Sequence, residues 1–280
     1  MTREQELEII EKRKNKVPIK DILNEYNIKR PKTIYDIIKR NGIKRIANKK
    51  YEVNENYFEK IDNEEKAYWL GFLYADGYVR LLNRNSAQLK LKLQTSDKSH
   101  IEYFKKCIGS TNPIKDSIDI FKKDGRSYKS YNSTISIYNK KIVKDLISNG
   151  CFNNKTQKIR LPKIEENLIY HFIRGYFDGD GSISKIKKSE NIFSVSICSN
   201  KNFIQDLHQI LGIGNMYDMK NYSLLIISKM LDIKKFRNLI YENANIYLER
   251  KYKKFYSIIE YSDEYYSTNK NNFKKNKYKI

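Results

Sequence analysis

Two aspartates stand at the ends of two apolar runs. Asp76 closes Trp69-Leu70-Gly71-Phe72-Leu73-Tyr74-Ala75-Asp76-Gly77, and Asp180 closes Ile173-Arg174-Gly175-Tyr176-Phe177-Asp178-Gly179-Asp180-Gly181. Each run reads as an apolar helix stopped at an Asp-Gly, with Gly77 and Gly181 where a left-handed residue ends a helix. Gly71 and Ala75 are four apart, as are Gly175 and Gly179, so each pair lies on one helix face. Small residues on that face let two backbones approach closely. Packed through these faces, the helices bring Asp76 and Asp180 to one end of the pair. There the carboxylates repel each other and face the negative ends of two helix dipoles. A divalent cation between them relieves both costs, so the pair reads as a metal site. Oxygen-only ligands suit Mg²⁺, which keeps several waters and takes phosphate oxygens as further ligands; Mn²⁺ is expected to substitute. The backbone carbonyls just before each aspartate are further candidate donors.

The elements that must hold these aspartates repeat. After Asp76 the order is strand (78–82), turn (83–85), strand (87–95), helix (99–108), two strands (114–121 and 129–138) turning at Asp124-Gly125, and helix (140–148) ending at Asn149-Gly150. After Asp180, 104 residues on, the same order returns: a strand opening at Gly181, a strand alternating Phe193, Val195 and Ile197 with serines, a helix over 202–211, strands at 216–218 and 223–228, and a helix over 231–243. The fold class is therefore α+β. Two pseudo-symmetric αββαββα halves, 63–160 and 161–262, carry saddle-shaped antiparallel sheets around a central helix pair. In the strand over 87–95, Leu89, Leu91 and Leu93 point one way, under the helices. Gln88, Lys90, Lys92 and Gln94 point the other, a face suited to base edges and phosphates. The second half shows Ser where the first shows Lys and Gln, so two half-sites would be read unequally. Asp62, followed by Glu65, is the expected cap of the first central helix.

The paired motifs and the repeat resemble the LAGLIDADG (dodecapeptide) homing endonucleases in their two-motif monomeric form, over roughly 67–261. The resemblance implies a site-specific, divalent-metal-dependent double-strand DNA endonuclease. It would hydrolyse one phosphodiester per strand at a long pseudo-palindromic site. Two or three Mg²⁺ ions are implied, one shared by Asp76 and Asp180 and one outer ion per strand. A lysine in each half of the family faces the cleavage site, and by motif position that role falls to Lys155 and Lys251, with Lys158 and Lys254 as competing choices. There it would stabilise phosphorane charge or polarise the attacking water network. Gln94, at a strand end near the first motif, is a further candidate for positioning water. The same fold without cutting, as a DNA-binding regulator or an intron RNA maturase, is the alternative. The gene's own uninterrupted insertion locus is the natural DNA to test.

Residues 1–46 read as a separate module of three short helices. Leu7 and Ile10 mark one face of the first, Ile19, Ile22, Leu23 and Tyr26 the second, and Ile34, Ile37 and Ile38 the third, which starts at Pro31. They resemble the helix-turn-helix of resolvases and invertases, whose last helix enters the major groove. Its exposed face carries Lys32, Thr33, Asp36, Lys39 and Arg40. A helical cap on the next domain is the other reading. A polar linker is expected over 47–62 and a disordered basic tail over 263–280.

Composition points to a polyanionic partner. Lys and Arg number 55 against 33 Asp and Glu, a net charge of +22, which fits double-stranded DNA and leaves intron RNA open as a partner. Codon bias in an AT-rich genome raises Lys, Asn, Ile and Tyr together but does not account for that imbalance. Cys107, Cys151 and Cys198 have neither disulfide nor zinc spacing. The charged N-terminus is no signal peptide, and no apolar run reaches membrane length. No protein-splicing signal is seen at Met1 or at Tyr278-Lys279-Ile280. The expected setting is intracellular, not secreted: the cytoplasm of a low-GC bacterium, a phage-infected cell or an organelle. The expected state is a monomer.

Overall fold

The computed structural model describes residues 1–15, 17–43, 51–83, 86–152, 159–187 and 192–260. The chain divides into two compact units, Met1–Glu52 and Val53–Ile280.

The first unit holds α1 (Arg3–Lys14), α2 (Ile19–Glu25) and α3 (Pro31–Arg40). A capping box opens α1: the Gln5 N–H donates to Thr2 Oγ1, and the Thr2 N–H donates to Gln5 Oε1, satisfying two end donors at once. Pro31 begins α3, where its missing N–H costs no hydrogen bond. Ile9, Ile10, Ile22, Ile34, Ile37 and Ile38 form the core. Leu7, expected inside, is 54% exposed; Ile9 takes its place, because α1 turns its 9–10 edge inward.

The second unit alternates as expected. The first half comprises α4 (Glu64–Asp76), β1 (Gly77–Asn83), β2 (Ser86–Gln94), α5 (Lys98–Cys107), β3 (Ile114–Lys123), β4 (Arg126–Ile137) and α6 (Lys140–Ser148). The second comprises α7 (Ile169–Asp180), β5 (Ser182–Lys187), β6 (Ile192–Ser199), α8 (Lys201–Leu211), β7 (Asn215–Asp218), β8 (Ser223–Ile227) and α9 (Met230–Tyr241). Two antiparallel sheets result, ordered β1-β2-β4-β3 and β5-β6-β8-β7. Matching order in both is the fold-level signature of the internal repeat. A further helix, α10, spans 249–260 and was not legible in the sequence.

Burial follows the alternation. Leu89, Leu91 and Leu93 are buried, Gln88, Lys90 and Lys92 half-exposed, and Gln94 exposed. One apolar cluster runs through both halves, with α4 and α7 at its centre. It also takes in Tyr57, Phe58 and Ile61, so the later part of the stretch expected as a linker is core. Those three apolar residues sit in a sequence otherwise too polar to show a period. Residues 84–85, 153–158 and 261–280 lie outside the described residues, and with them the first-half turn and the basic tail. Among the described residues no helix is long and apolar enough to cross a membrane, and the three cysteines are free thiols.

Candidate active site on the paired helices

Helix α4 is apolar on every side and buried from Ala67 to Tyr74, as a helix at the centre of two layers must be. Asn63, not Asp62, caps it: Asn63 Oδ1 accepts from the Lys66 N–H at 3.0 Å, while Asp62 pairs with the Lys66 ammonium at 2.9 Å. Glu64 and Glu65 occupy the first turn, where carboxylates are favoured by the helix dipole.

The two helices meet backbone to backbone. A Cβ on Gly71 would stand 2.0 Å from the Phe172 carbonyl oxygen, and one on Gly175 would stand 2.0 Å from that of Tyr68. At Gly179 it would meet Ala75 Cβ at 2.3 Å. The four small residues thus line the crossing. The glycines after the aspartates act differently from the expectation. Gly77 (φ −75, ψ 141) and Gly181 (φ −66, ψ 153) are extended rather than left-handed. Each helix passes straight into a strand, and a Cβ would strike the last turn, at Leu73 O from Gly77 (2.6 Å) and at the Phe177 ring from Gly181 (2.1 Å). Glycine is required by space, not by φ.

Asp76 and Asp180 end the helices at the same side of the crossing, both exposed. A Cβ on Gly179, next to Asp180, would lie 3.3 Å from Asp76 Oδ2. Both carboxylates act on Lys251 and on Tyr176. No cluster of three or more Asp, Glu, His or Cys surrounds them among the described residues. This donor set fits a hard divalent ion that keeps most of its waters, as Mg²⁺ does, and does not fit zinc, which wants His or Cys.

Lys251, near the start of α10, is 7% exposed. Its ammonium donates to the carbonyls of Phe177 (2.6 Å), Gly179 (3.1 Å) and Gly181 (2.6 Å). It therefore caps the C-terminal end of α7 from within, using all three donors. Two expectations change. Lys251 has no donor left for a phosphorane, and the Gly179 carbonyl, just before Asp180, is engaged by lysine. Burial lowers its pKa to about 8, against the pull of Asp178, Asp76 and Asp180. Lys254 is exposed, whereas Lys155 and Lys158 lie outside the described residues. Gln94 stands at the exposed end of β2, opposite Asn132.

Behind the aspartates lies a buried polar network that sequence reading missed. Asp178 accepts from Tyr68 Oη (2.8 Å), Tyr241 Oη (2.5 Å) and the Leu248 N–H (2.7 Å). Burial raises its pKa to about 6, opposed by those hydrogen bonds. Tyr68 Oη also contacts His100 Nε2 at 2.9 Å, and burial holds that imidazole down to about 3. Arg174 donates to the carbonyls of Ile246 and Ile240, both at 2.8 Å, and to Glu64 Oε1 at 2.5 Å. Together Asp178 and Arg174 fix residues 246–248, from which α10 delivers Lys251. A signal existed: Arg174 and Asp178, four apart, are the only charges inside an otherwise apolar stretch before Gly179.

On the sheet face, Gln88 Nε2 donates to Tyr138 Oη at 3.0 Å, Lys90 lies 5.2 Å from the centre of the Tyr78 ring, and Lys92 pairs with Asp119. In the first unit Lys32 and Lys39 are exposed, Thr33 is half-buried, and Arg40 is bound to Glu6 at 2.6 Å.

Comparison with known proteins agrees with this geometry. Residues 167–241 match the family model of the LAGLIDADG-like domain. The solved structure of the homing endonuclease I-WcaI bound to its DNA recognition sequence superposes with a TM-score of 0.51 at 17% identity, over 71% of this chain and 91% of that one. At that identity the likeness shows the fold. Two proteins of Methanocaldococcus jannaschii align over similar stretches. The replication factor C small subunit is 26% identical over 71% of this chain, and the probable translation initiation factor IF-2 is 27% identical over 67%. The chain spans only 10% and 16% of their respective lengths. Residues 167–241 are thus similar to the LAGLIDADG-like domain, and the chain shares the fold of the homing endonuclease I-WcaI.

Proposed function

We propose that this chain is a site-specific double-strand DNA endonuclease of the homing type, dependent on a divalent metal and acting as a monomer. The observation that carries the reading is the meeting of Asp76 and Asp180 at the ends of two helices packed backbone to backbone. Two carboxylates held together at the negative ends of two dipoles serve no packing purpose. They are the arrangement that a cation on phosphate oxygens requires.

Asp76 and Asp180 would hold Mg²⁺, which supplies an activated water and charge neutralisation at the scissile phosphate. The chain's own residues do the rest. Gly71, Gly175 and Gly179 set the carboxylate separation. Lys251 is a positioning residue: it satisfies the α7 carbonyls and places positive charge behind both aspartates. Gln94 and the Lys90 and Lys92 row face the DNA. The first unit adds a second DNA-binding surface through Lys32, Thr33 and Lys39. Arg40, held by Glu6, would serve there only after leaving that pair.

The test is cleavage, in Mg²⁺, of a plasmid carrying the uninterrupted form of the gene's insertion locus, with Asp76→Asn and Asp180→Asn alongside. A discrete double-strand cut lost in both variants is expected. Cutting that survives in both overturns the paired-carboxylate reading.

A further inference from the structure

The two sheets share a landmark that makes their hairpins comparable. In the first, Asp116 lies opposite Ser133, accepts from Ser133 Oγ at 2.7 Å and pairs with Lys98 at 2.8 Å. In the second, Asp218 lies opposite Ser223, accepts from Ser223 Oγ at 2.7 Å and pairs with Lys201 at 2.6 Å.

Beyond this shared point the hairpins part. The β7–β8 connection closes within Met219–Tyr222, where the Met219 N–H donates to the Tyr222 carbonyl at 2.9 Å. The β3–β4 ladder continues through seven more pairs, from Ser117 opposite Asn132 to Lys123 opposite Arg126. At the usual antiparallel rise, the difference of about six pairs makes the first ribbon about 20 Å longer.

This ribbon is uncovered. Every β3 residue after Ile114 is exposed, as are Arg126–Lys129. A two-stranded ribbon exposed on both faces is marginal in water, and its retention at this length calls for something to lie against. Register shows which face continues the Gln88, Lys90 and Lys92 row. Lys92 and Lys115 both lie opposite Thr134, so that face runs on through Asp119, Phe121 and Lys123, with Arg126 and Tyr128 across from them. Phe121 and Tyr128 stack there at 5.6 Å, and Lys123 and Arg126 form the last pair. A two-stranded ribbon of this kind fits the major groove.

We infer that the β3–β4 ribbon reads DNA at the outer end of the first half's site, making that half-site about six base pairs longer than the other at 3.4 Å per step. The inference rests on the proposed DNA-binding function and adds an asymmetry that the fold alone does not imply.

The experiment selects bound duplexes from a random library in metal-free buffer. It uses the full chain, and the full chain with Ser117–Asn132 replaced by the four residues standing at Met219–Tyr222. The full chain is expected to specify about six outer positions on one flank that the shortened protein leaves random, with the other flank unchanged. Sites of equal length from both proteins would overturn the inference and leave the DNA-binding reading standing. Failure of the full chain to bind any duplex would overturn that reading, and the inference with it. Should the shortened chain not fold, the exposed double variant Lys123→Ala/Arg126→Ala serves instead. It should lower the slope of log Kd against log salt by about two, and an unchanged slope counts against the ribbon.

Discussion

The carbonyl oxygen of Tyr68 lies against the α carbon of Gly175, so that a methyl there would stand only 2.0 Å from it. That oxygen is backbone and has no rotamer to escape into. Gly175→Ala is therefore expected to force α4 and α7 apart and to cost about 3 kcal/mol, at the upper end for overpacking. Urea denaturation checks it: the midpoint should fall, and cleavage should fall with it. Lost cleavage at an unchanged midpoint would mean that the glycine does not set the aspartate spacing.

Asp76→Asn keeps the shape of the site and removes one charge. Cleavage in Mg²⁺ should disappear, while DNA binding in metal-free buffer stays equal or tightens, because a negative charge beside phosphate has gone. Chelation of the wild type should reproduce this split. Weaker binding in the variant would assign Asp76 to DNA contact rather than to metal.

Lys251 links stability to pH. Its folded pKa is lowered to about 8 from 10.5, so the unfolded chain takes up the proton first as pH falls. The contribution is complete above about pH 10.5, is lost as pH falls towards 8, and is constant below. Lys251→Met should abolish this slope and take the lysine donor from the Gly179 and Gly181 carbonyls, at about 1–3 kcal/mol each, while the Phe177 carbonyl keeps the Gly181 N–H. Thermal melts between pH 7 and 10 distinguish the two. An unchanged slope in the variant would assign the titration elsewhere.

Asp178 runs the other way. Its pKa is raised from 3.8 to about 6, so its contribution is complete below about pH 3.8 and lost as pH rises through 6. Asp178→Asn should flatten the stability profile between pH 4 and 6. Asp178→Ala, which strands Tyr241 and the Leu248 N–H and leaves Tyr68 only His100, should destabilise at every pH. Equal profiles for wild type and Asp178→Asn would argue against a buried titrating carboxylate.

The repeat was legible because helix and strand periods are local. The apolar runs before Asp76 and Asp180, and the alternation of Leu89, Leu91 and Leu93, each rest on residues a few positions apart. Spacing by four put each small-residue pair on one helix face, and Gly71, Gly175 and Gly179 leave no room for a Cβ where α4 and α7 cross. Long-range contacts were not legible. Lys251 aligns with its counterpart by position, but its burial depends on α10 and on Asp178 holding Leu248, 70 residues away. Gly77 and Gly181 looked like helix caps because sequence marks glycine without saying whether φ or space demands it. The β3–β4 ribbon was legible but for its tip: strands expected over 114–121 and 129–138 extend to Lys123 and start at Arg126, where exposed Lys122, Lys123, Arg126 and Ser127 give no apolar period.

The contacts of Glu64 with Arg174 and of Tyr68 with Asp178 run one way only. The positions matching Arg174 and Asp178 in the first motif are Leu70 and Tyr74, and those matching Glu64 and Tyr68 in the second are Leu168 and Phe172. Two copies of the second half, joined through the same crossing, would set Arg174 against Leu168 and Asp178 against Phe172. Arg174 would keep the Ile240 and Ile246 carbonyls but lose its carboxylate, and Asp178 would keep Tyr241 and the Leu248 N–H but lose Tyr68, a loss of about 1–3 kcal/mol at each site. Two copies of the first half would have Glu64 but neither Arg174 nor Asp178. The halves are thus lock and key to each other, and if produced as separate chains they should assemble with one another rather than with themselves.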